Sequence, residues 1–279
     1  NSSDDGSSDQ PARTDTVKVM ALGDSITYGE VSGKGEKDSY RKYFYHRLVD
    51  QKKYSIDMVG SKDGWTDTWN FDDGTYSYDA GNTGYSGLTI KSYLNKTGIY
   101  DAIIGNTSIS DGNPKNVIQT TSPEIVLLLI GTNDIMDNYK IDEIQTRLQT
   151  LVDEIYQQKS DVTLMIMSPP PINHDEASWL PEQSVLDGNI KTYKEAIQNI
   201  VASKKTAGKK CEYLDINGLF TKQANYKNYL DDYCHPNGAG YKLMGDYLAD
   251  AVDSYLRTGS VNVDSSTGTI TAETNISGL

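Results

Sequence analysis

Short apolar runs alternate with amphipathic stretches over most of this chain. Aliphatic and β-branched residues fill positions 17–22, 56–59, 125–130, 162–167 and 211–216. The runs are near-continuously apolar, least so at 211–216 with Glu212 and Asp215, the pattern of strands buried on both faces. Between the later runs, Ile144, Leu148, Leu151 and Ile155 recur at spacings of four, three and four. That spacing puts them on one face of a helix. Ile190, Tyr193, Ile197, Ile200 and Val201 form a second stripe, and Leu243, Tyr247, Leu248, Ala251, Val252 and Tyr255 a third. Strands buried on both sides and helices with one apolar face predict a three-layer α/β/α sandwich around a five-stranded parallel sheet. The stripes are read as core. Residues 137–142 and 169–187 are then loops at the carboxyl ends of two strands, where the rim of a ligand site lies in such sheets.

Two regions break the alternation. Residues 61–87 are dense in Gly, Asp, Asn, Trp and Tyr and fit no helix. A loop of that length in a compact domain is commonly functional or disordered. Asp67, Asp72 and Asp73 offer oxygen ligands for a structural calcium ion, but without EF-hand spacing, so solvated carboxylates are the preferred reading. The ends differ again. The chain opens Asn-Ser-Ser-Asp-Asp-Gly-Ser-Ser-Asp, and its tail is rich in Ser, Thr and Gly. The expected division is a linker over 1–16, one domain over 17–258 and a linker-like tail over 259–279. Linkers at both ends suit a monomeric module tethered to others in a secreted protein.

Charge and cysteines narrow the classes further. Among 279 residues, 39 are acidic and 26 basic, a formal charge of −13, with no Lys/Arg cluster. Nucleic acid and anionic membrane surfaces are poor partners for such a chain. No apolar stretch approaches the roughly 20 residues that span a bilayer. Cys211 and Cys234 are the only cysteines and form no Cys-x-x-Cys pair. Either a disulfide or two buried thiols fits, and an oxidising compartment favours the bridge, which would tether the loop carrying His235.

Four blocks carry the chemistry, each where the sheet model puts a loop on one rim. They are Gly23-Asp24-Ser25, Gly84-Tyr85-Ser86-Gly87-Leu88-Thr89, Gly131-Thr132-Asn133-Asp134 and Asp232-Tyr233-Cys234-His235-Pro236-Asn237. A serine hydroxyl needs a base to become a nucleophile, and histidine titrates in the right range. The base needs a carboxylate to fix its tautomer. Asp232 and His235, three residues apart, can supply both from one tight loop. The amides of Ser25 and Gly87 and the side chain of Asn133 are suitable donors for a developing oxyanion. Innocuous readings exist: Asn133-Asp134 as a helix cap, His-Pro-Asn as a turn. Four such blocks in order make coincidence a poor account. His46 is read as a surface or packing residue, and His174 as a rim residue with a minor claim on substrate.

These blocks resemble the GDSL/SGNH hydrolase family over nearly all of residues 17–256. The resemblance implies a flavodoxin-like sheet, nucleophile Ser25, base His235, supporting Asp232, and an oxyanion hole of Ser25, Gly87 and Asn133. Gly81 and Gly84 leave the choice of glycine donor ambiguous. Within the family, Gly-Asp-Ser-Ile-Thr-Tyr-Gly and Gly-Tyr-Ser-Gly-Leu-Thr-Ile look most like carbohydrate esterase family 3, whose members are acetylxylan-esterase-like. The implied activity is removal of acetyl groups from a plant cell-wall polysaccharide through an acyl-enzyme, with no cofactor required. Trp65, Trp69, Tyr76, Tyr78 and Tyr85 then become candidate platforms for sugar rings. A lipase or thioesterase of the same fold would call for a more apolar segment at 61–87, and a non-catalytic carbohydrate-binding module would not need the Ser25/Asp232/His235 set. The chain has no Gly-x-Ser-x-Gly elbow and only three histidines, which disfavours an ordinary α/β-hydrolase and a metal-dependent deacetylase.

Overall fold

The computed structural model describes residues 10–29 and 37–262. The strands in chain order are β1 (Val17–Gly23), β2 (Ile56–Met58), β3 (Thr66–Phe71), β4 (Gly74–Asp79), β5 (Thr83–Gly84), β6 (Ile125–Leu129), β7 (Thr163–Met167) and β8 (Cys211–Leu214). The α-helices are α1 (Ser25–Tyr28), α2 (Ser39–His46), α3 (Ile99–Ile104), α4 (Val117–Thr121), α5 (Thr132–Met136), α6 (Ile144–Gln158), α7 (Gln183–Thr206), α8 (Ile216–Thr221) and α9 (Gly238–Thr258).

The main sheet runs β2-β1-β6-β7-β8 with every neighbour parallel. The five expected strands are all present. The two-residue β5 adds a sixth by pairing with the carboxyl end of β1, Leu22 opposite Thr83 and Gly23 opposite Gly84. Alternate residues of each central strand enter opposite layers. Met20, Leu22, Val126, Leu128, Leu164 and Ile166 pack with the stripes of α6 and α7. Val19, Ala21, Leu127, Leu129, Met165 and Met167 pack with α2 and α9. Burial on both faces is why these strands read as continuous apolar runs and not as alternating ones.

The region 61–87 departs from the expectation of an irregular loop. It contains an antiparallel hairpin, β3 against β4, with Phe71 opposite Gly74 across Asp72-Asp73. Two further bonds close its base: the Lys62 amide donates to the Asn82 carbonyl and the Asn82 amide to the Lys62 carbonyl. The hairpin lies on the α2 layer, where Phe71 and Tyr78 are buried.

Cys211 and Cys234 are both buried and do not form a disulfide, which corrects the favoured bridge. Cys211 opens β8, whereas Cys234 sits with His235 beyond the carboxyl ends of the strands. A four-residue strand is about 10–13 Å long at ~3.3 Å per residue, and a bridge needs Cα atoms within ~7 Å. At the ends, the expected linkers at 1–9 and 263–279 lie outside the described residues. Within 10–16, Ala12 donates to the Tyr54 hydroxyl and the Arg13 guanidinium forks onto Glu124.

Candidate active site

The nucleophile candidate is placed by a turn that only glycine permits. A Cβ on Gly23 would lie 2.3 Å from the Leu129 carbonyl oxygen and 2.4 Å from Thr27 Oγ1. β1 therefore passes close against β6 and breaks at once into α1. Asp24 caps that helix, its Oδ1 accepting from the Ile26 amide at 3.0 Å. Ser25 is left at the carboxyl end of the sheet, as the alternation predicts.

Ser25 Oγ lies 2.8 Å from His235 Nε2, and His235 Nδ1 lies 2.8 Å from Asp232 Oδ2. With Nδ1–H donating to the carboxylate, Nε2 is the acceptor for the serine hydroxyl. The loop is shaped by the same carboxylate. Asp232 Oδ1 accepts the amides of Cys234 at 2.8 Å and His235 at 2.7 Å, while the Asp231 amide donates to the His235 carbonyl. Tyr233 and Cys234 are thereby held in a turn. Burial works to raise the Asp232 pKa, but the His235 ring and the two amides together outweigh it and hold the carboxyl below its ordinary range. Asn237 then caps α9 through its bond from the Gly240 amide.

The donor candidates lie on neighbouring elements. Gly87 is exposed, has φ +78°, and faces open space for 4 Å around an added Cβ. The other two glycines have committed amides: Gly81 donates to Asp79 Oδ1 and Gly84 to Asn82 Oδ1. Asn133 sits in the first turn of α5 and does not cap it. One of its amide hydrogens goes to the Leu88 carbonyl at 2.9 Å, tying the third block to the second and leaving the other hydrogen to donate elsewhere.

Two buried carboxylates underlie this rim. Asp24 is fully buried, and its Oδ2 has no hydrogen-bond partner among the described residues. Burial pushes its pKa up to about 7, against the Ile26 amide and the charge of His235 and with a further push from Asp134. Asp134 accepts the Ile90 amide and faces Arg147 Nη2 at 3.3 Å; burial nonetheless raises it to about 6.

Two side chains beside this rim carry no signal in the sequence. Lys62 Nζ lies 4.0 Å from the Tyr28 ring centroid, 4.2 Å from that of Tyr85 and 3.1 Å from the Gly84 carbonyl oxygen. It thus joins the end of α1 to the second block, and Asp111 at 3.2 Å balances its charge. No local pattern announces such a contact. Trp179, in the 169–187 loop, stands edge-to-face with Tyr233 at 5.3 Å.

The expected aromatic platforms are covered by their neighbours or lie elsewhere. Tyr78 and Tyr85 are buried, and the Trp69 ring is covered by Lys42 Nζ at 3.1 Å. Tyr76 leans on His46. Trp65 is exposed but lines a cavity with Lys18 and Asp57, towards the amino ends of β1 and β2. His46 is a packing residue, stacked on Phe71 at 4.0 Å. His174 bonds the Pro181 carbonyl within its own loop. Of the calcium candidates, Asp67 faces Lys37 at 3.7 Å and Asp73 faces His46 and Gln51.

Comparison with known proteins agrees with this architecture. A multidomain esterase of Ruminococcus flavefaciens is 29% identical over 243 residues, which cover 87% of this chain and 29% of that protein. The chain thus spans under a third of that relative's length. A family 3 carbohydrate esterase of Clostridium thermocellum superposes with a TM-score of 0.61 at 28% identity, covering 88% of this chain and all of the other. A family 3 carbohydrate esterase of Talaromyces cellulolyticus, at 22% identity and a TM-score of 0.60, shares the fold over 86% of this chain and 98% of its own. The model of the GDSL-like lipase/acylhydrolase family matches residues 21–243, so this chain belongs to that family.

Proposed function

We propose that this chain is a serine esterase that removes O-acetyl groups from a plant cell-wall polysaccharide such as xylan. The observation that carries the proposal is the unbroken hydrogen-bond relay from Ser25 through His235 to Asp232. Ser25 Oγ attacks the acetyl carbonyl as Nε2 of His235 takes its proton. Asp232 holds the ring in the required tautomer and steadies the imidazolium. The amides of Ser25 and Gly87 and the side chain of Asn133 donate to the oxyanion. His235 returns the proton to the departing sugar oxygen, leaving an acetyl-enzyme. A water molecule, deprotonated by the same histidine, then releases acetate. Nucleophile, proton carrier and oxyanion donors all come from the chain, so no cofactor enters the scheme.

The polysaccharide half of the proposal draws on the likeness to a family 3 carbohydrate esterase. The partial coverage of a multidomain esterase supports a module tethered to others, and a cell-wall substrate would place that module outside the cell. No helix among the described residues is long and apolar enough to cross a membrane. The deciding experiment measures acetate release from acetylxylan beside hydrolysis of p-nitrophenyl acetate, butyrate and octanoate. Release from acetylxylan with a steep decline beyond acetate is expected. Preference for octanoate would overturn the acetyl assignment in favour of a lipase.

A further inference from the structure

We infer that the Trp179 indole, propped on Tyr233 beside His235, is the platform on which the sugar ring bearing the ester stacks. The inference rests on the carbohydrate-acetyl reading above and gives it a binding residue.

The loop carrying Trp179 is built to hold it out. The indole is 63% exposed, yet Ala177 and Leu180 on either side are buried. The Ala177 amide donates to the His174 carbonyl at 3.0 Å, and the Leu180 amide to the Ala177 carbonyl at 3.1 Å. The Gln183 side-chain amide donates to the Ile172 carbonyl and its oxygen accepts the His174 amide. A large apolar ring set in water by a pinned loop, when the core is within reach of both neighbours, calls for something to cover it.

Its position says what. The Trp179 and Tyr233 centroids are 5.3 Å apart at 81°, and the Tyr233 ring lies 6.4 Å from the His235 imidazole. The Asn173 amide donates to the Tyr233 carbonyl at 2.9 Å, which fixes the Trp179 loop to the turn carrying the base. In ester hydrolysis the base protonates the departing oxygen, so the alcohol half of the ester lies on the base's side of the carbonyl. Here that is the side of Tyr233 and Trp179. An alcohol that is a pyranose presents a face of C–H groups, and a flat indole covers such a face well. A small acyl group, directed away from the base, makes no use of the platform.

The test compares Trp179→Ala and Trp179→Phe in the full chain on two acetates: an acetylated xylo-oligosaccharide and ethyl acetate, whose alcohol has no ring. For Trp179→Ala, kcat/KM on the oligosaccharide should fall roughly five- to tenfold, mostly through KM, as expected for one aromatic contact. Trp179→Phe should recover most of that loss, and ethyl acetate hydrolysis should stay within about twofold for both, because the indole touches only the alcohol half. Equal losses on both substrates would reduce Trp179 to a prop for His235, and no loss on either would remove it from the site; both results overturn the platform alone. Wild-type protein that hydrolyses ethyl acetate but not the sugar acetate would overturn the proposed function and the platform with it.

Discussion

His46 and His235 each sit beside carboxylates, and only His235 also faces a serine hydroxyl. His46 Nδ1 lies 2.7 Å from Asp50, and its Nε2 lies 2.8 Å from Asp73. Both ring nitrogens face acids, and the ring face is stacked on Phe71. His235 has a carboxylate at Nδ1 and a serine hydroxyl at Nε2. The difference is one of asymmetry. A ring bracketed by two acceptors fastens α2 to the hairpin, whereas a ring with an acid behind and a hydroxyl in front has the arrangement that a general base requires. A histidine–carboxylate contact alone therefore identifies no active site; the second nitrogen decides.

The largest test of that contrast is Ser25→Ala. Loss of the hydroxyl should lower kcat by a factor on the order of 10⁴–10⁶ and leave thermal unfolding close to wild type. Substantial acetate release by the folded variant would place the nucleophile elsewhere. Asp232→Asn should keep the turn but favour the wrong tautomer, with a loss of up to about 10⁴ in kcat. A loss under about tenfold would mean that a backbone group orients His235, since a working triad acid costs far more. His46→Ala is the mirror experiment. Removing the stacked, doubly bonded ring should cost about 2–4 kcal/mol in denaturant unfolding while kcat stays within about twofold. A collapse of kcat at full stability would show the fastener acting on the site.

Asp24→Asn offers the smallest and most specific effect. The folded pKa of Asp24, about 7, lies above its ordinary 3.8. Between those values the folded state holds a proton that the unfolded chain has released. Its contribution to stability is full below the lower value and is lost as pH rises through the upper one. Asparagine caps a helix as well as aspartate does. The variant should therefore show a flatter fall in melting temperature from pH 4 to 7. An unaltered slope would assign the fall to Asp134, whose carboxyl is raised in the same direction.

Much of this was legible in the chain. The first strand run gains Gly23 and the other four are trimmed: Ile130, Val162 and Ile216 are as buried as the ladders they adjoin, so hydropathy cannot mark where pairing stops. The stripe through Ile144 and Ile155 became α6, and α7 and α9 follow the other two. Ser25, Asp232 and His235 were readable because Gly-Asp-Ser follows the first strand and the Asp232–His235 pair precedes the last helix, the order that the family pattern sets. The hairpin was missed although it carried a signal. Trp69 and Phe71, then Tyr76 and Tyr78, recur with period two on either side of the two-residue turn Asp72-Asp73. Aromatic density suggested a binding surface, but it was spent on packing against α2. Trp179 gave no pattern at all, because its place depends on a contact with Tyr233 that only the fold creates.

The shortest strand has the widest consequence. β5 joins the carboxyl end of β1, and the Tyr85 amide continues the ladder onto the Gly23 carbonyl at 3.1 Å. The turns bearing Ser25 and Gly87 thus start from adjacent rungs of one frame. Everything from Lys62 to Asn82 leaves and returns through a stem closed by its own pair of bonds. A change in the length of its tip would therefore leave the frame that bears Ser25 and Gly87 in place, provided that Lys62, Phe71 and Tyr78 keep their contacts. One short stem thus separates what shapes the surface of this region from what sets the distance between two active-site turns.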